Sequence, residues 1–120
     1  MLHCEFDPHA SVPEWARRDV YRIAQEAITN AVRHGAPTRI DLCLQPSDGG
    51  TRFEVADNGV GFSLNTVTLG TGIRGMRERA AAIGAELRLE TTVGKGTCVL
   101  LILPQLVSEL GPPHTPRSTQ

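Results

Sequence analysis

Two segments of the chain carry apolar residues at the spacing of an α-helix. Between residues 13 and 34 the apolar positions share one side of a helical wheel, at Val20, Ile23, Ala24, Ala27, Ile28 and Ala31. Ser11 to Glu14 matches a capping box with proline in the first turn, and Gly35 follows as a stop signal. A second helix is predicted over residues 73–84, with Ile73, Met76, Ala80 and Ile83 on its apolar face and Gly84 as its terminator.

Alternating apolar and polar residues predict short β-strands elsewhere. Residues 2–6 alternate, and residues 39–57 alternate on both sides of a turn at PSDGG, which is typical of an antiparallel hairpin. Residues 86–103 form a second predicted hairpin around VGKG. Its last strand is nearly all apolar, so we expect it to be central and covered on both faces.

The predicted order of elements is strand, helix, two strands, a glycine-rich loop, helix and two strands. This order favours an α/β fold, a two-layer α/β sandwich whose mixed, mostly antiparallel sheet is covered by helices on one face. We expect one domain over residues 1–104. Residues 105–120 show no sustained pattern and are predicted to be a disordered tail.

Composition narrows the function classes. The 120 residues include 12 basic and 13 acidic ones, giving a formal net charge of −1, so no general field draws nucleic acid or anionic lipid to the surface. The three cysteines form no C-x-x-C pair, which argues against zinc or redox work and is typical of reduced thiols in the cytoplasm. No apolar run approaches the length of a membrane span, so we expect this chain to make no direct membrane contact.

The stretch GTGIRG, residues 70–75, has the G-x-G-x-x-G spacing of a dinucleotide-binding turn. The following elements do not fit that interpretation, because the turn at VGKG folds the next strand straight back instead of leading through a helix to a parallel strand. Glycines at a helix start still let backbone N–H groups approach a phosphate. The sequence therefore favours phosphate and excludes NAD, although loop punctuation alone would also explain these glycines.

Glu26, Asn30 and Arg33 share one polar edge of the first helix. A carboxylate and an amide oxygen one turn apart suit a hydrated Mg²⁺, and an arginine a further turn along suits the phosphates that share the metal. Taken alone, these residues are equally typical of a solvated helix face.

Asp57 ends a strand where the glycines Gly59 and Gly61 begin. A carboxylate at the mouth of a loop is suited to accept a hydrogen bond from an adenine amino group, and the glycines would let a flat base lie against the backbone. A common D-N-G turn is the simpler interpretation of the same residues.

Four motifs in order are more specific than any one of them: EAITNAVRHG (26–35), DNGVGF (57–62), GTGIRGMRERA (70–80) and GKGTCVLLILP (94–104). Together they resemble the N box and the three glycine boxes of the GHKL ATPases, the Bergerat-fold superfamily. That group includes sensor histidine kinases, DNA gyrase, mismatch-repair ATPases and ATP-driven chaperones. RIAQEAITNAVRH and GMRERAAAIGAEL are most similar to the catalytic domain of sensor kinases of the nitrate-sensor and desaturase-regulator type.

The resemblance implies ATP and Mg²⁺ as ligands and a role for each matching residue. Asn30 would be the Mg²⁺ ligand, and Glu26 would be the catalytic residue that holds or polarises a metal-bound water. Asp57 would accept the adenine amino hydrogen. The remaining implied nucleotide contacts are Arg33 and His34 along the phosphates or ribose, Gly59 and Gly61 in the adenine pocket, Thr71, Gly72 and Ile73 at the phosphates, and Thr97 through a water at the base. Residues 62–71 would be a short ATP lid.

The family's reaction also implies partners. The γ-phosphoryl group would pass to a histidine, but His3, His9, His34 and His114 all lack the H-[DE] helical setting of an acceptor. We therefore expect the acceptor on an upstream dimerisation domain of a parent kinase that is membrane-anchored or free and serves a response regulator. The isolated chain is expected to be mainly monomeric.

Three other interpretations stay open from the sequence. They are a stand-alone anti-sigma-type serine kinase of the same superfamily, an ATP-driven clamp module, and a degenerate scaffold without activity. Full-length clamps need longer lids and a transducer domain, and a scaffold would not need Glu26, Asn30 and Asp57 together.

Overall fold

The computed structural model describes residues 1–61 and 71–104, with the backbone alone for Thr71. Within these residues the elements are β1 Leu2–Phe6, α1 Arg17–Asn30, β2 Ile40–Ser47, β3 Gly50–Asp57, α2 Thr71–Ala82, β4 Glu86–Thr92 and β5 Gly96–Pro104. This is the predicted order. The predicted lid, residues 62–71, lies outside the described residues apart from the backbone of Thr71, and so does the predicted tail.

The strands form one mixed sheet in the order β1-β2-β3-β5-β4. β1 runs parallel to β2, and the other neighbours are antiparallel. The sheet is therefore mostly antiparallel, and α1 and α2 pack side by side on one of its faces. The predicted two-layer sandwich is confirmed.

The core lies between the helices and the sheet. The predicted apolar faces of both helices point into it, and Ile23, Ala80 and Ile83 are at most 2% exposed. From the sheet, alternate residues of β3 and β5 contribute to the core together with Ile40 of β2; those of β3 and β5 are Phe53, Val55, Val99, Leu101 and Leu103. None of the described helices is long and apolar enough to cross a membrane.

The two ends of the first helix differ from the prediction. Its start is a 3₁₀ turn at Glu14–Ala16 with no side-chain cap, and the Ser11 carbonyl instead accepts a hydrogen bond from Thr51 Oγ1 at 2.9 Å. Its end is a π-helical turn at Ala31–Gly35, and the left-handed residue that closes it is Ala36, with φ 44°. Gly35 is thus inside the helical segment, so the capping box and the glycine stop were wrong here.

The predicted central position of β5 is confirmed, but both described helices lie on one side of the sheet, so within residues 1–61 and 71–104 no helix covers its other face. Leu100, on the other side, is nevertheless only 7% exposed. Glu54 of β3 and Arg88 of β4 stand directly opposite it on its two neighbouring strands. Long charged side chains cover apolar surface with their methylene groups, so they take the place of a second helix layer here.

Cys98 lies on this uncovered face and donates a hydrogen bond from Sγ to Glu54 Oε2 at 3.0 Å. Burial, this hydrogen bond and the nearby carboxylates of Glu54 and Glu90 raise the pKa of the thiol from 9.0 to about 12. The folded state therefore binds the proton more tightly than the unfolded state does. The resulting stabilisation is complete below pH 9 and is lost as the pH rises towards 12.

We expect Cys98→Ser, which keeps a hydroxyl donor for Glu54 but does not titrate in this range, to lose less stability between pH 8 and pH 11 than the wild type. Urea unfolding at a series of pH values measures this difference. Cys43, whose pKa is also raised by burial, is present in both proteins and cancels in the comparison. Two parallel stability curves would show that the Cys98 proton plays no part.

Candidate functional site

A cavity of about 350 Å³ opens between the helix layer and one end of the sheet. Its volume falls in the range of small-molecule sites. Most of its wall is apolar, and the residues that contribute are Ala27, Ala31, Val55, Ile73, Met76, Leu89 and Val99. Such a wall suits a flat, largely apolar group such as a nucleobase.

Several predicted site residues lie together in this cavity. They come from both helices, two strands and the segment after β3: Asn30, His34, Asp57, Gly61, Gly72, Ile73 and Thr97. The sequence separates them by up to 67 positions (97 − 30), and the fold brings them to one place. Gly72 and Ile73 belong to the first turn of α2, so the amino end of that helix borders the cavity.

Asp57 is the carboxylate of the cavity. It ends β3 directly opposite Thr97 of β5, and its Oδ1 accepts a hydrogen bond from Gly59 N–H at 2.7 Å. Within the described residues Oδ2 accepts no hydrogen bond, so one carboxylate oxygen is held by the backbone while the other is available to a ligand. Thr97 Oγ1 lies 2.8 Å from Thr91 Oγ1, which fixes the hydroxyl beside this carboxylate.

Gly59 does not line the cavity, but it lies against Gly35, which does. A methyl group at Gly59 would collide with the Gly35 carbonyl, and Val60 N–H donates to that same carbonyl at 2.8 Å. The end of the first helix and the turn after β3 are therefore in backbone contact, which only glycine permits. The sequence identified both glycines but not this contact.

The side chain of Asn58 was missed by the sequence analysis. Its Oδ1 accepts hydrogen bonds from the N–H groups of Thr38 and Arg39 at 3.0 and 2.9 Å, and its Nδ2 donates to Thr38 Oγ1 at 2.8 Å. These bonds tie the turn after Asp57 to the chain that leads into β2. Asn in a D-N-G turn carries no sequence signal for a partner twenty residues away.

Glu26 and Arg33 lie outside the main cavity, in an adjoining cavity on the other side of the first turn of α2. That second cavity is lined by Arg22, Gln25, Glu26, Arg33, Gly72, Gly75, Met76 and Arg79. Three arginines and one carboxylate make it positively charged, and Arg79 is held by Asp19 of α1 at 3.1 Å. Gly72 and Met76 border both cavities, so the two form neighbouring compartments.

Glu26 contacts α2 where Gly72 has no side chain. The carboxylate occupies the space that a β-carbon at position 72 would fill. Gly75, one turn later, has open space at the same position. The predicted catalytic carboxylate is thus positioned by a residue that the sequence assigned only to phosphate binding. The side chain of Thr71 is outside the described residues, so its predicted phosphate contact keeps the status of a prediction.

The connection from β4 to β5 and the first residue of β5, Gly96, pack against the backbone of Asp57. Gly96 has φ +92°, and a β-carbon there would collide with the Asp57 carbonyl oxygen and lie 3.0 Å from its carbonyl carbon. Gly94, in the same turn with φ +85°, has nothing within 4 Å. Both glycines have a left-handed backbone conformation, but only Gly96 lies close to the backbone of another segment.

We expect Gly94→Ala to cost the free energy of placing a side chain at positive φ, about 1 kcal/mol. Gly96→Ala should cost about 1 to 2 kcal/mol more, because the added methyl group must displace the backbone of Asp57. Urea unfolding of both variants measures the difference, and ATP titration then shows whether the displaced carboxylate still binds. Equal losses of stability would contradict the close approach at Gly96.

Comparison with known proteins gives evidence that is independent of this geometry. Residues 16–107 match the family described as histidine kinase-, DNA gyrase B-, and HSP90-like ATPase. The chain is 33% identical over 93 residues to the sensor histidine kinase LiaS of Bacillus subtilis, which covers 77% of this chain and 26% of that protein. It is 34% identical over 87 residues to the oxygen sensor histidine kinase NreB of Staphylococcus carnosus, covering 71% of this chain and 25% of that protein.

A solved structure has the same fold. The histidine kinase domain of the blue-light activated histidine kinase of Erythrobacter litoralis superimposes with a TM-score of 0.77 and 23% identity, covering 91% of this chain and 53% of that one. This chain spans about a quarter of the length of the two sensor kinases that it matches. The resemblance predicted from the four motifs is confirmed: the chain belongs to the histidine kinase-, DNA gyrase B-, and HSP90-like ATPase family.

Proposed function

We propose that this chain is the ATP-binding catalytic domain of a sensor histidine kinase, which positions Mg-ATP so that its γ-phosphoryl group passes to a histidine on a separate domain. The observation that carries this proposal is the apolar cavity that holds Asp57 and Asn30 beside the amino end of α2. The same cavity thus offers three contacts: the first for the base, the second for the metal and the third for phosphate.

The base would lie between the apolar walls, and a hydrogen bond to Asp57 would fix its orientation. The free carboxylate oxygen would accept a hydrogen bond from the adenine amino group, and Thr97 would support a bridging water next to it. Gly61, at φ +66°, lines the same cavity, and a β-carbon there would collide with the Thr92 carbonyl oxygen, so only glycine lets this backbone lie against the end of β4. The predicted role of His34, beside the ribose or phosphates, is consistent with its place at the cavity rim.

The residues present fit a magnesium ion that is held mainly by phosphate and water. Among the described residues no three His, Cys, Asp or Glu side chains converge as a protein metal site would need. Asn30 supplies one amide oxygen in the cavity, which suits Mg²⁺, since this ion keeps several waters and shares substrate phosphates. When bound, the ion would neutralise charge on the phosphate oxygens during transfer.

The second cavity would serve the transfer step. Arg33 and Arg22 supply positive charge next to the place where phosphate oxygens would meet the first turn of α2. Glu26 lies at the boundary with the main cavity, one turn from Asn30, and would orient a water of the metal shell. The acceptor imidazole would approach from outside the chain, and Thr71 and the lid segment would cover the phosphates.

The parent protein would phosphorylate its own dimerisation domain in the cytoplasm and pass the phosphoryl group to a response regulator. Its similarity to two sensor histidine kinases favours this role over an anti-sigma-type serine kinase. The two roles differ in product. With γ-labelled ATP and the acceptor domain of a sensor kinase, we expect an acid-labile phosphohistidine, and an acid-stable phosphoserine would favour the alternative.

Asn30→Asp tests the metal contact. The wild-type chain should bind Mg-ATP with a Kd between micromolar and sub-millimolar values, which corresponds to a binding free energy of about −8 to −4 kcal/mol. The new carboxylate adds a negative charge beside the metal, so the magnesium concentration needed for half-maximal ATP binding should change at least several-fold. Calorimetry with ATP at a series of magnesium concentrations measures it, with Gln45→Glu as a control that makes the same amide-to-carboxylate change on β2, outside both cavities. Unchanged magnesium dependence would remove Asn30 from the metal site.

A further inference from the structure

Within the described residues, the outer edge of β1 carries unpaired backbone groups. β1 is the first strand of the sheet order, and all five of its residues are exposed. Its inner edge pairs with β2, where Leu2 stands opposite Ile40 and Phe6 opposite Leu44. Within residues 1–61 and 71–104, no strand pairs with its outer edge. Such an edge is a ready template for another strand.

The hydrogen bonds to β2 and the segment before it show which backbone groups face outward. Ile40 N–H donates to the Met1 carbonyl at 2.8 Å, and Asp7 N–H donates to the Leu44 carbonyl at 2.9 Å. Because the N–H and C=O of one residue point to the same side of a strand and successive residues alternate, odd-numbered residues face β2. The N–H and C=O groups of Leu2, Cys4 and Phe6 therefore face outward.

The side chains of the same strand leave apolar surface uncovered. Leu2 and Phe6 are 55% and 57% exposed, although their register places them on the helix-covered face of the sheet. Among the described residues, neither α1 nor α2 makes a substantial contact with the edge strand. Exposed apolar residues on an open edge need a partner that offers apolar residues at the same spacing.

The strand LHCEF is complementary to itself when a second copy runs antiparallel about Cys4. Leu2 then stands beside the partner's Phe6, and Cys4 stands beside the partner's Cys4. On the opposite face His3 stands beside the partner's Glu5, a hydrogen-bond donor next to an acceptor. This register also pairs all the outward groups, because directly opposite residues of this set exchange both backbone hydrogen bonds.

We propose that β1 pairs with β1 of a second copy of this chain, antiparallel and two-fold symmetric about Cys4, so that the two sheets become continuous. The two-fold axis would run between the two β1 strands, and this C2 symmetry is the commonest among soluble oligomers. The sequence predicts a mainly monomeric chain, because the family resemblance assigns dimerisation to a separate domain. The free edge instead gives the domain a contact of its own.

The contact is weak. Two five-residue strands bury far less than the roughly 1,200 Å² of a stable interface, so the dimer populates at high protein concentration or when the two copies are already tethered. A weak, symmetric contact between ATP-binding domains would couple their positions in a dimeric parent without locking them together.

Cys4 provides the test, because it is exposed and lies on the symmetry axis. Directly opposite residues of an antiparallel hydrogen-bonded pair have Cα atoms about 5.5 Å apart, within the reach of a disulfide. In the full chain carrying Cys43→Ser and Cys98→Ser, oxidation by diamide should cross-link Cys4 to the partner's Cys4. A Cys4→Ser chain in the same background should show the same dimer reversibly in sedimentation equilibrium.

Changing the charges at positions 3 and 5 distinguishes cross-linking in this register from cross-linking by random collision. His3→Glu places two carboxylates opposite each other twice per dimer, and cross-linking and association should fall about five- to thirty-fold. His3→Glu combined with Glu5→Lys restores an opposite pair and should restore both. The proposal is overturned if no dimer forms, or if cross-linking is the same in all three chains. Circular dichroism confirms that each variant is folded.

Discussion

Asp57→Asn should reverse the base preference of the cavity, weakening ATP and strengthening inosine triphosphate by a combined factor of about 1,000 in relative affinity. The change replaces one oxygen by an amino group and leaves the size of the side chain unaltered. Inosine differs from adenosine at the same place, since its ring carries a carbonyl oxygen where adenine carries an amino group.

The geometry at Asp57 explains why the effect should be confined to the base. Oδ1 accepts the hydrogen bond of Gly59 N–H at 2.7 Å, and an asparagine keeps that acceptor. The second position, which we propose contacts the base, changes from acceptor to donor. A donor facing the adenine amino group leaves both unpaired in a dry pocket, whereas a donor facing the inosine carbonyl makes a hydrogen bond.

Calorimetric titration of both proteins with ATP and inosine triphosphate measures the four affinities. Asp41→Asn is a matched control, since Asp41 pairs with Arg39 on the other face of the sheet and lies outside both cavities. We expect that control to keep the preference of the wild type. If Asp57→Asn weakens both nucleotides equally, Asp57 supports the fold of the pocket and does not recognise the base.

The local pattern of the sequence was enough to predict the elements of this fold. Alternation in β2 to β4, the apolar run of β5 and the apolar faces of α1 and α2 are properties of neighbouring residues, and each predicted helix and strand is present. The parallel pairing of β1 with β2 is different. It depends on where α1 returns the chain, and the alternation of LHCEF is the same for either strand direction.

The site was predicted from a family resemblance and only partly from chemistry. Individual motifs had simpler interpretations as a helix face or a turn, and their order along the chain removed that ambiguity. What no sequence pattern predicted are the contacts between motifs. Gly35 was expected to end a helix, but it meets Gly59 through its backbone, and the left-handed residue is Ala36. Such contacts depend on tertiary distance, which spacing along the chain does not encode.

The contact between Glu26 and Gly72 leads to the second prediction of large effect. Gly72→Ala should lower phosphoryl transfer at least about 100-fold, because displacing a reacting or positioning group by about 1 Å has that consequence. The added methyl group needs the space of the Glu26 carboxylate. ATP affinity should fall much less, since Asp57 and Thr97, which we propose contact the base, belong to β3 and β5 and are unchanged.

Gly75→Ala is the matched control in the same helix. Its new β-carbon meets nothing within 4 Å, so, although Gly75 borders the second cavity, transfer should fall far less than in Gly72→Ala, while the helix gains about 0.8 to 1 kcal/mol from the better helix former. Transfer rates with an acceptor domain, ATP affinities and urea unfolding of both variants separate a local displacement from a general effect of alanine in α2.

A double-mutant cycle decides whether Gly72 acts through Glu26. In a Glu26→Ala chain the space beside position 72 is empty, so Gly72→Ala should have little further effect on the transfer rate. If the two changes instead lower the rate independently, the methyl group disturbs the phosphates directly. Glu26 would then lose its proposed link to α2, and the first turn of that helix would act in transfer through its backbone N–H groups alone.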